Sequence, residues 1–416
     1  MVLKAQIDRI SNKIHGDIFN NCVLGIFLVC LLLAPPIHIW NFRFTFQVID
    51  FFIPIFLCMI IYNKWYKNWR LLYVKNLLFF IGVIILSILI NKQIGVANEW
   101  FEVYKGFKYL LIFIVFKELY SAKKNTAIID VIFICLLFFN FLHYHNIFNF
   151  NQIVMPLYCG KDCVHLTYFG LNSAGLPAVK RMIGTMANPN DNAVLFLVFM
   201  LFYLPKERWK IKDVSFFVLC LIALLACQSR TSLVAFFVII IAHFFIIRIK
   251  WQKLLIYSAL IVVVMFVFFY ITAANKYALT LLDGTALKSY SWTYRLELWK
   301  QFLGQSLTQP IFGHAPQKNY FYEHKLHFEN EYILFLWRYG ILGFISLIGF
   351  YLTPIKKIFR TVRSNEISKN TLLLIILFAI CGLANVPLTN TTLSLLFFGY
   401  LGIFYSQKNK DYENLA

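Results

Sequence analysis

The sequence predicts an all-α integral membrane protein of about twelve transmembrane helices, organised as one polytopic membrane domain over residues 1–416. Three observations predict this fold. Of the 416 residues, 60% are hydrophobic and only 14% are charged, whereas soluble globular proteins are about half apolar and a quarter charged. Apolar runs long enough to cross a bilayer recur along the chain. Short basic patches separate those runs, as the positive-inside rule requires.

The predicted spans are the apolar runs of roughly 17 to 25 residues that a membrane helix needs. In the fourth run, Lys105 and Lys108 interrupt the apolar pattern, and we expect their side chains to extend toward the membrane edge. The runs lie near residues 18–36, 46–62, 71–91, 104–120, 125–142, 189–205, 213–227, 231–247, 253–272, 330–353, 370–387 and 391–406.

The distribution of Lys and Arg predicts that both termini are cytoplasmic. With the N-terminus inside, most of the 39 basic residues fall on inside connections, and each of those connections carries at least two. The formal net charge of +20 therefore reflects membrane topology. Nucleic-acid binding is not expected, because no extended basic face is left to provide it.

Two predicted outside loops, 143–188 and 273–329, are longer than ordinary connections and are expected to be functional. The first contains Cys159 and Cys163, and an oxidising compartment outside a bacterial inner membrane would allow a short disulfide between them. A metal site with neighbouring histidines is the less favoured alternative, because the spacing matches no zinc pattern. The second loop is expected to fold over the membrane and to carry part of the active site.

Four arginines stand out on the outer side, because basic side chains at or near membrane depth are costly and indicate function. A helix N-terminus with arginines nearby is a site for phosphate oxygens. The four are Arg181, ahead of the sixth span; Arg230, in the turn between the seventh and eighth; Arg295, in the second long loop; and Arg338, in the tenth.

Two helix starts lie beside these arginines. Asn188 followed by Pro189 predicts an N-cap and a first helical residue for the sixth span. The tenth span is preceded by His327, Glu329 and Asn330, which offer a general base. Within this span Glu331 and Arg338 share one face, by their spacing of seven residues.

Each of these features also has a structural interpretation. An outer arginine is often an interfacial anchor or a contact to lipid phosphate. Arg338 would then neutralise Glu331 inside the bundle, and the histidines would be ordinary loop residues. The convergence of four arginines and a His/Glu cluster on one side favours a functional site, and an anionic site outside the membrane suggests a polyprenyl-phosphate substrate.

Other chemistry is not indicated. The sequence has no Walker loop, dinucleotide fingerprint, nucleophile elbow or HExxH motif, and no Asp-x-Asp pair to hold a metal and a nucleotide sugar. No cofactor or metal is therefore expected, and the leaving group must arrive already activated on the substrate.

The order of several short motifs resembles the O-antigen polymerase and ligase superfamily. The resemblance covers residues 181–343, and the first five spans share only their hydrophobicity with it. The motifs are Arg-x-x-Gly-Thr-x-x-Asn-Pro-Asn at 181–190, Ser-Arg-Thr at 229–231, Tyr-Arg-x-x-x-Trp at 294–299, Pro-Ile-Phe-Gly at 310–313, Glu-Asn-Glu-Tyr at 329–332 and Arg-Tyr-Gly-Ile-Leu-Gly at 338–343.

The resemblance implies a GT-C-like fold and a metal-independent glycosyltransferase, which acts in the periplasm on a glycan carried by undecaprenyl diphosphate. In the ligases of this superfamily, which load lipid A–core, a histidine stands directly before the asparagine at the corresponding helix start. Here that position is Glu329, and the nearest histidine is His327. The acidic residue favours a Wzy-type polymerase of O-antigen or a related surface glycan.

We therefore predict a polymerase in the bacterial inner membrane, with its active site facing the periplasm. Glu329 or His327 is the predicted general base, and Glu331 is included in the catalytic group. The residues predicted to bind the substrate diphosphates are Arg181, Arg230, Arg295 and Arg338; the predicted supporting residues are Asn188, Asn190, Tyr294 and Asn330.

The expected partners are lipid-linked oligosaccharide repeat units, together with a chain-length regulator and a flippase in the same membrane. Two other functions stay open at this point. A ligase would use the same donor and a lipid A–core acceptor. A twelve-span flippase would place polar residues near the bilayer midplane, where Asp50, His243 and Asn385 are the candidates.

Overall fold

The computed structural model describes residues 22–38, 45–119, 126–159, 181–204, 210–247, 251–271, 290–324, 326 and 328–406. Within these ranges the chain is almost entirely helical. A two-residue antiparallel ladder, Ile37–His38 with Thr45–Phe46, is the one pairing of strands. The prediction of an all-α protein is therefore confirmed.

The helices are numbered here in chain order. They are α1 Cys22–Leu33, α2 Phe52–Tyr62, α3 Leu72–Ile90, α4 Ala97–Leu119, α5 Thr126–His145, α6 Phe150–Ile153, α7 Met155–Cys159, α8 Pro189–Met200, α9 Ile211–Cys227, α10 Arg230–Ile247, α11 Trp251–Ile271, α12 Tyr290–Ser306, α13 Lys318–Glu323, α14 Glu331–Leu352, α15 Ile355–Thr361, α16 Glu366–Cys381 and α17 Thr391–Ser406.

Each of the twelve predicted spans overlaps one of these helices. Among the described residues, three helical stretches are both long and apolar enough to cross a membrane: Leu72–Ile90, Ala127–His145 and Glu331–Thr361. Large apolar side chains such as Phe245 and Phe266 point away from the bundle, as expected of helices that face lipid. The chain is thus consistent with an all-α membrane protein, and the count of twelve spans stays a prediction.

Helices α4 and α17 pack closely against each other. A Cβ atom added to Gly402 would lie 2.4 Å from the carbonyl oxygen of Phe113, so the two backbones approach as closely as glycine allows. Small residues at such crossings are typical of packing between membrane helices. This contact fixes α4, and with it Lys105 and Lys108, against α17.

Helix α14 is broken at Gly340, which has φ of +63°. The segment Pro310–Gly313 lies against the break: Ile341 donates its N–H to the carbonyl of Pro310 (2.8 Å), and His314 donates to that of Trp337 (2.9 Å). Ser87 of α3 donates its hydroxyl to the carbonyl of Phe312 at 2.6 Å. The motifs at 310–313 and 338–343 therefore form one structural unit, which joins the second long loop to the membrane bundle.

Candidate active site

The segment that contains Arg181 leads into helix α8. Asn188 is the N-cap of this helix, and its side chain accepts the N–H groups of Asn190 and Asp191 at 2.8 and 3.4 Å. Pro189 is the first helical residue. This prediction is confirmed, and its physical basis is local, because a capping side chain and a proline act within one turn.

The guanidinium of Arg181 connects this segment to the turn before α10. It donates to the carbonyl oxygens of Cys227 (3.0 Å) and Gln228 (3.3 Å) and to the side chain of Asn190 (2.9 Å). Gln228 adopts a left-handed conformation, with φ of 50°, and this sharp turn allows α10 to begin at Arg230. Two of the predicted arginines are thus held on either side of one tight turn.

Arg295 and Glu329 form a direct ion pair between the guanidinium and the carboxylate, and both side chains are about a quarter exposed. Arg295 lies on α12, which packs on α14 through Leu298, Phe302 and Trp337. The pair is therefore partly open to solvent. Tyr294 lies next to it on α12 and is exposed.

The start of α14 is bound to the segment between α16 and α17, residues 382–390. Asn330 caps the helix by accepting the N–H of Ile333 at 3.0 Å, and its amide donates to the carbonyl of Leu383 at 3.0 Å. The N–H of Glu331 donates to the carbonyl of Gly382 at 2.8 Å. The 382–390 segment thus fixes the helix start beside which Glu329 lies.

The carboxylate of Glu331 is fully buried and faces the same segment. One of its oxygens accepts the backbone N–H groups of Leu388 (2.7 Å) and Thr389 (3.1 Å), and the other accepts the hydroxyl of Tyr351 at 3.5 Å. These contacts leave the carboxylate directed into the protein, so they favour a positioning role within the predicted catalytic group.

Asp191 connects the two halves of the site, and the sequence reasoning did not select it. Its carboxylate accepts from the amides of Asn385 (3.0 Å) and Asn390 (2.9 Å) in the 382–390 segment. It also lies close enough to Glu329 for their charges to interact. The one available signal was Asn385, an intramembrane polar residue near a span end, although its partner, 194 residues away, could not be predicted.

Arg338 contacts the short helix α13 and lies near α4, and its role in diphosphate binding stays a prediction. Its guanidinium lies 4.8 Å from the centre of the Phe321 ring, a cation–π contact, and its charge acts on Glu99 and Glu102 of α4. In the described part of the chain no ion pair joins it to Glu331. The structural alternative, in which Arg338 neutralises Glu331, is therefore not supported, because backbone N–H groups bind this carboxylate.

Three predicted residues lie wholly or partly outside the described residues: His327, Cys163 and the side chain of Cys159. Their roles as base and as disulfide partners stay predictions. Among the described residues, no group of three or more His, Cys, Asp or Glu side chains is arranged to hold a metal ion; metal independence likewise stays a prediction.

Residues 215–348 match the family model described as O-antigen ligase. The matched stretch contains Arg230, Arg295, Glu329 and Arg338, and it ends before the 382–390 segment. No curated protein matches the chain. The resemblance to the O-antigen polymerase and ligase superfamily is confirmed by this match, and members of the family are glycosyltransferase-like enzymes.

Proposed function

We propose that this membrane protein of the O-antigen polymerase and ligase superfamily is a polysaccharide polymerase of the bacterial inner membrane. It transfers a growing glycan from undecaprenyl diphosphate to a sugar hydroxyl of the next lipid-linked repeat unit. The active site faces the periplasm, and the reaction uses no metal.

The observation that carries the proposal is the convergence of the arginine motifs on one network. Arg181 and the turn before Arg230 meet at the start of α8, and Arg295 meets Glu329 at the start of α14. Asp191 and the 382–390 segment connect these two helix starts. Guanidinium groups around two helix N-termini provide binding sites for two diphosphates.

In the proposed reaction the acceptor hydroxyl attacks the anomeric carbon of the donor sugar. The bond between that carbon and the diphosphate oxygen breaks, and the electron pair leaves with the diphosphate. Arg181, Arg230 and Arg295 stabilise the charge that grows on the leaving group. Glu329 takes the proton of the acceptor hydroxyl, with His327 as the alternative base.

The Arg295–Glu329 ion pair suggests how the base becomes available. Without substrate, the guanidinium holds the carboxylate. A bound diphosphate carries more negative charge than a carboxylate and competes for the same N–H donors. Arg295 would then turn to the diphosphate and release Glu329 to the acceptor hydroxyl, so that the base is freed only when the donor is bound.

The proposal is tested first at Arg230, which lies in the tight outer turn between α9 and α10. Arg230→Ala should abolish polymer while protein level and membrane insertion stay normal, because the guanidinium binds the diphosphate. Arg230→Lys should restore little, since an ammonium cannot replace a bidentate fork. Full activity of the lysine variant would contradict the role of the guanidinium.

A ligase remains the second candidate, because the family match carries that description. The purified protein is incubated with lipid-linked repeat units, with and without lipid A–core. A polymerase produces a ladder of lengthened glycans from repeat units alone, whereas a ligase produces a product only when lipid A–core is present.

A flippase is the alternative from another functional class. Asp50 accepts from Lys108 (3.0 Å) and Asn385 donates to Asp191 (3.0 Å), and neither contact joins one candidate residue of the flippase to another. Deletion of the gene separates the two functions: loss of a polymerase leaves single repeat units outside the membrane, and loss of a flippase leaves none.

A further inference from the structure

A polar cavity lies between α4, the short helix α13 and the segment around Asp50, and Lys105 connects it to Thr389 of the 382–390 segment. Its volume is about 250 Å³. The cavity is lined by basic, amide and aromatic side chains and by one acidic residue. They include Lys105, Lys108, Lys318, Asn98, Phe101 and Asp50. None of its lining residues belongs to the motifs that predicted the function.

Two of its lysines are buried inside the protein, where removing a charged ammonium group from water costs free energy. Lys105 and Lys108 are 9% and 6% exposed, and the expectation that they extend toward the membrane edge stays a prediction. Lys108 donates to Asp50 at 3.0 Å, and Lys105 donates to the carbonyl of Thr389. Both head groups line the cavity.

The third lysine, Lys318, lies at the mouth of the cavity and is about a third exposed. Its ammonium pairs with Glu102 at 2.9 Å. Glu99 fixes the start of α13, because its carboxylate accepts the backbone N–H groups of Gln317 (2.6 Å) and Lys318 (2.9 Å). The second long loop is thus attached to α4 at this point.

The charges of this cluster favour a further anion. Three ammonium groups and the guanidinium of Arg338 act on three carboxylates, Asp50, Glu99 and Glu102. Glu102 precedes the predicted fourth span; burial would raise its pKa, but the charges of Lys105, Lys318 and Arg338 outweigh this and hold the pKa well below its usual range. Glu102 is shared by Lys105 and Lys318, and with Arg338 the cluster contains one more basic group than acidic groups.

Size and lining limit what the cavity accepts. Pockets for drug-sized ligands begin at about 300 Å³, so this one accommodates a single sugar ring or a phosphate group. Asn98 and Asn319 offer amide groups beside each other, joined at 2.6 Å. Phe101 and Tyr104 add aromatic rings that suit the apolar face of a sugar.

We propose that this cavity, defined by Lys105, Lys108 and Lys318, is a subsite for an oxyanion of the glycan substrate. The inference rests on the proposed function and adds to it the substrate class: the repeat unit carries an acidic group. That group is a sugar carboxylate or a phosphate, and both present the same oxygen acceptors to the lysines.

The test measures binding by saturation-transfer difference NMR on the purified full-length protein in detergent. The probes are glucuronate, inorganic diphosphate and neutral glucose. Lys318→Gln removes the lysine at the cavity mouth. The double variant Asp50→Asn/Lys108→Gln removes one buried pair without leaving a charge unpaired. Lys212→Gln is the matched control, because it breaks a surface pair with Asp130 (2.6 Å) far along the chain from the cavity.

Wild-type protein and Lys212→Gln should bind glucuronate or diphosphate in preference to glucose. Both cavity variants should weaken that binding by about tenfold, the effect of one lost charge-assisted hydrogen bond. The probe that loses affinity in the cavity variants identifies the acidic group of the repeat unit. Loss of glucuronate binding indicates a sugar carboxylate, and loss of diphosphate binding indicates a phosphate group. Equal affinity of the wild type and both cavity variants for both anions would overturn the proposal.

The outcome is separable from that of the proposed function. If the protein forms no ladder from lipid-linked repeat units but the cavity variants still lose anion binding, the polymerase assignment fails and the subsite stands. If the ladder forms and anion binding is unaffected by the cavity variants, the polymerase assignment stands and the subsite fails.

Discussion

Substitutions of Glu331 distinguish a positioning role of this carboxylate from a catalytic one. Its carboxylate is fully buried and accepts the N–H groups of Leu388 and Thr389 from the 382–390 segment. In Glu331→Ala both donors lose their acceptor, and a buried unsatisfied donor costs about 1–3 kcal/mol. The free energy of unfolding should therefore fall by about 2–6 kcal/mol.

Glu331→Gln should behave differently. The amide oxygen of glutamine has the position and the lone pairs to accept both N–H groups, so the 382–390 segment stays attached. We expect Glu331→Gln to keep most of the wild-type polymer yield, and Glu331→Ala to lose it together with stability.

The assay combines thermal unfolding of the purified protein in detergent with the glycan ladder in a deletion strain that expresses each variant. Glu118→Ala is the control, because this carboxylate makes a surface pair with Lys117, and such pairs contribute at most about 1 kcal/mol. A Glu331→Gln variant with wild-type melting temperature and no polymer would refute the reasoning, since the charge itself would then be required for catalysis.

Two further predictions concern the base and the helix break. Glu329→Gln should abolish polymer, because the amide cannot accept the proton of the acceptor hydroxyl, while His327→Gln should retain it; the reverse pattern in glycan ladders would make the histidine the base. Gly340→Ala should lower the melting temperature strongly, because an added Cβ would lie 2.2 Å from the carbonyl oxygen of Ile311 and φ of +63° costs about 1–3 kcal/mol for other residues. Gly82→Ala is its control: a Cβ there meets nothing within 4 Å, so a similar loss in both would contradict the packing argument.

The resemblance to the O-antigen polymerase and ligase superfamily and the helical fold were predictable from the sequence because both depend on short-range signals. An apolar run specifies a helix in lipid without reference to any other part of the chain. The Asn188-Pro189 pair specifies a helix start within one turn. The order of the arginine motifs required no knowledge of which residues touch.

The partners of the charged residues could not be predicted in this way. The spacing of Glu331 and Arg338 placed them on one helix face, yet their partners came from other elements: the backbone of the 382–390 segment for Glu331, and Phe321 for Arg338. Periodicity constrains neighbours within one helix, and it carries no information about what packs against that helix.

The sequence by itself therefore determined the helices, their membrane character and the residue types available for the chemistry. Only the tertiary structure decided which of those residues meet: Arg295 with Glu329, Asp191 with Asn385, and Lys108 with Asp50. The physical reason is that burial in a low-dielectric bundle forces every charge to find a partner, and the partner that is in reach depends on how distant helices cross.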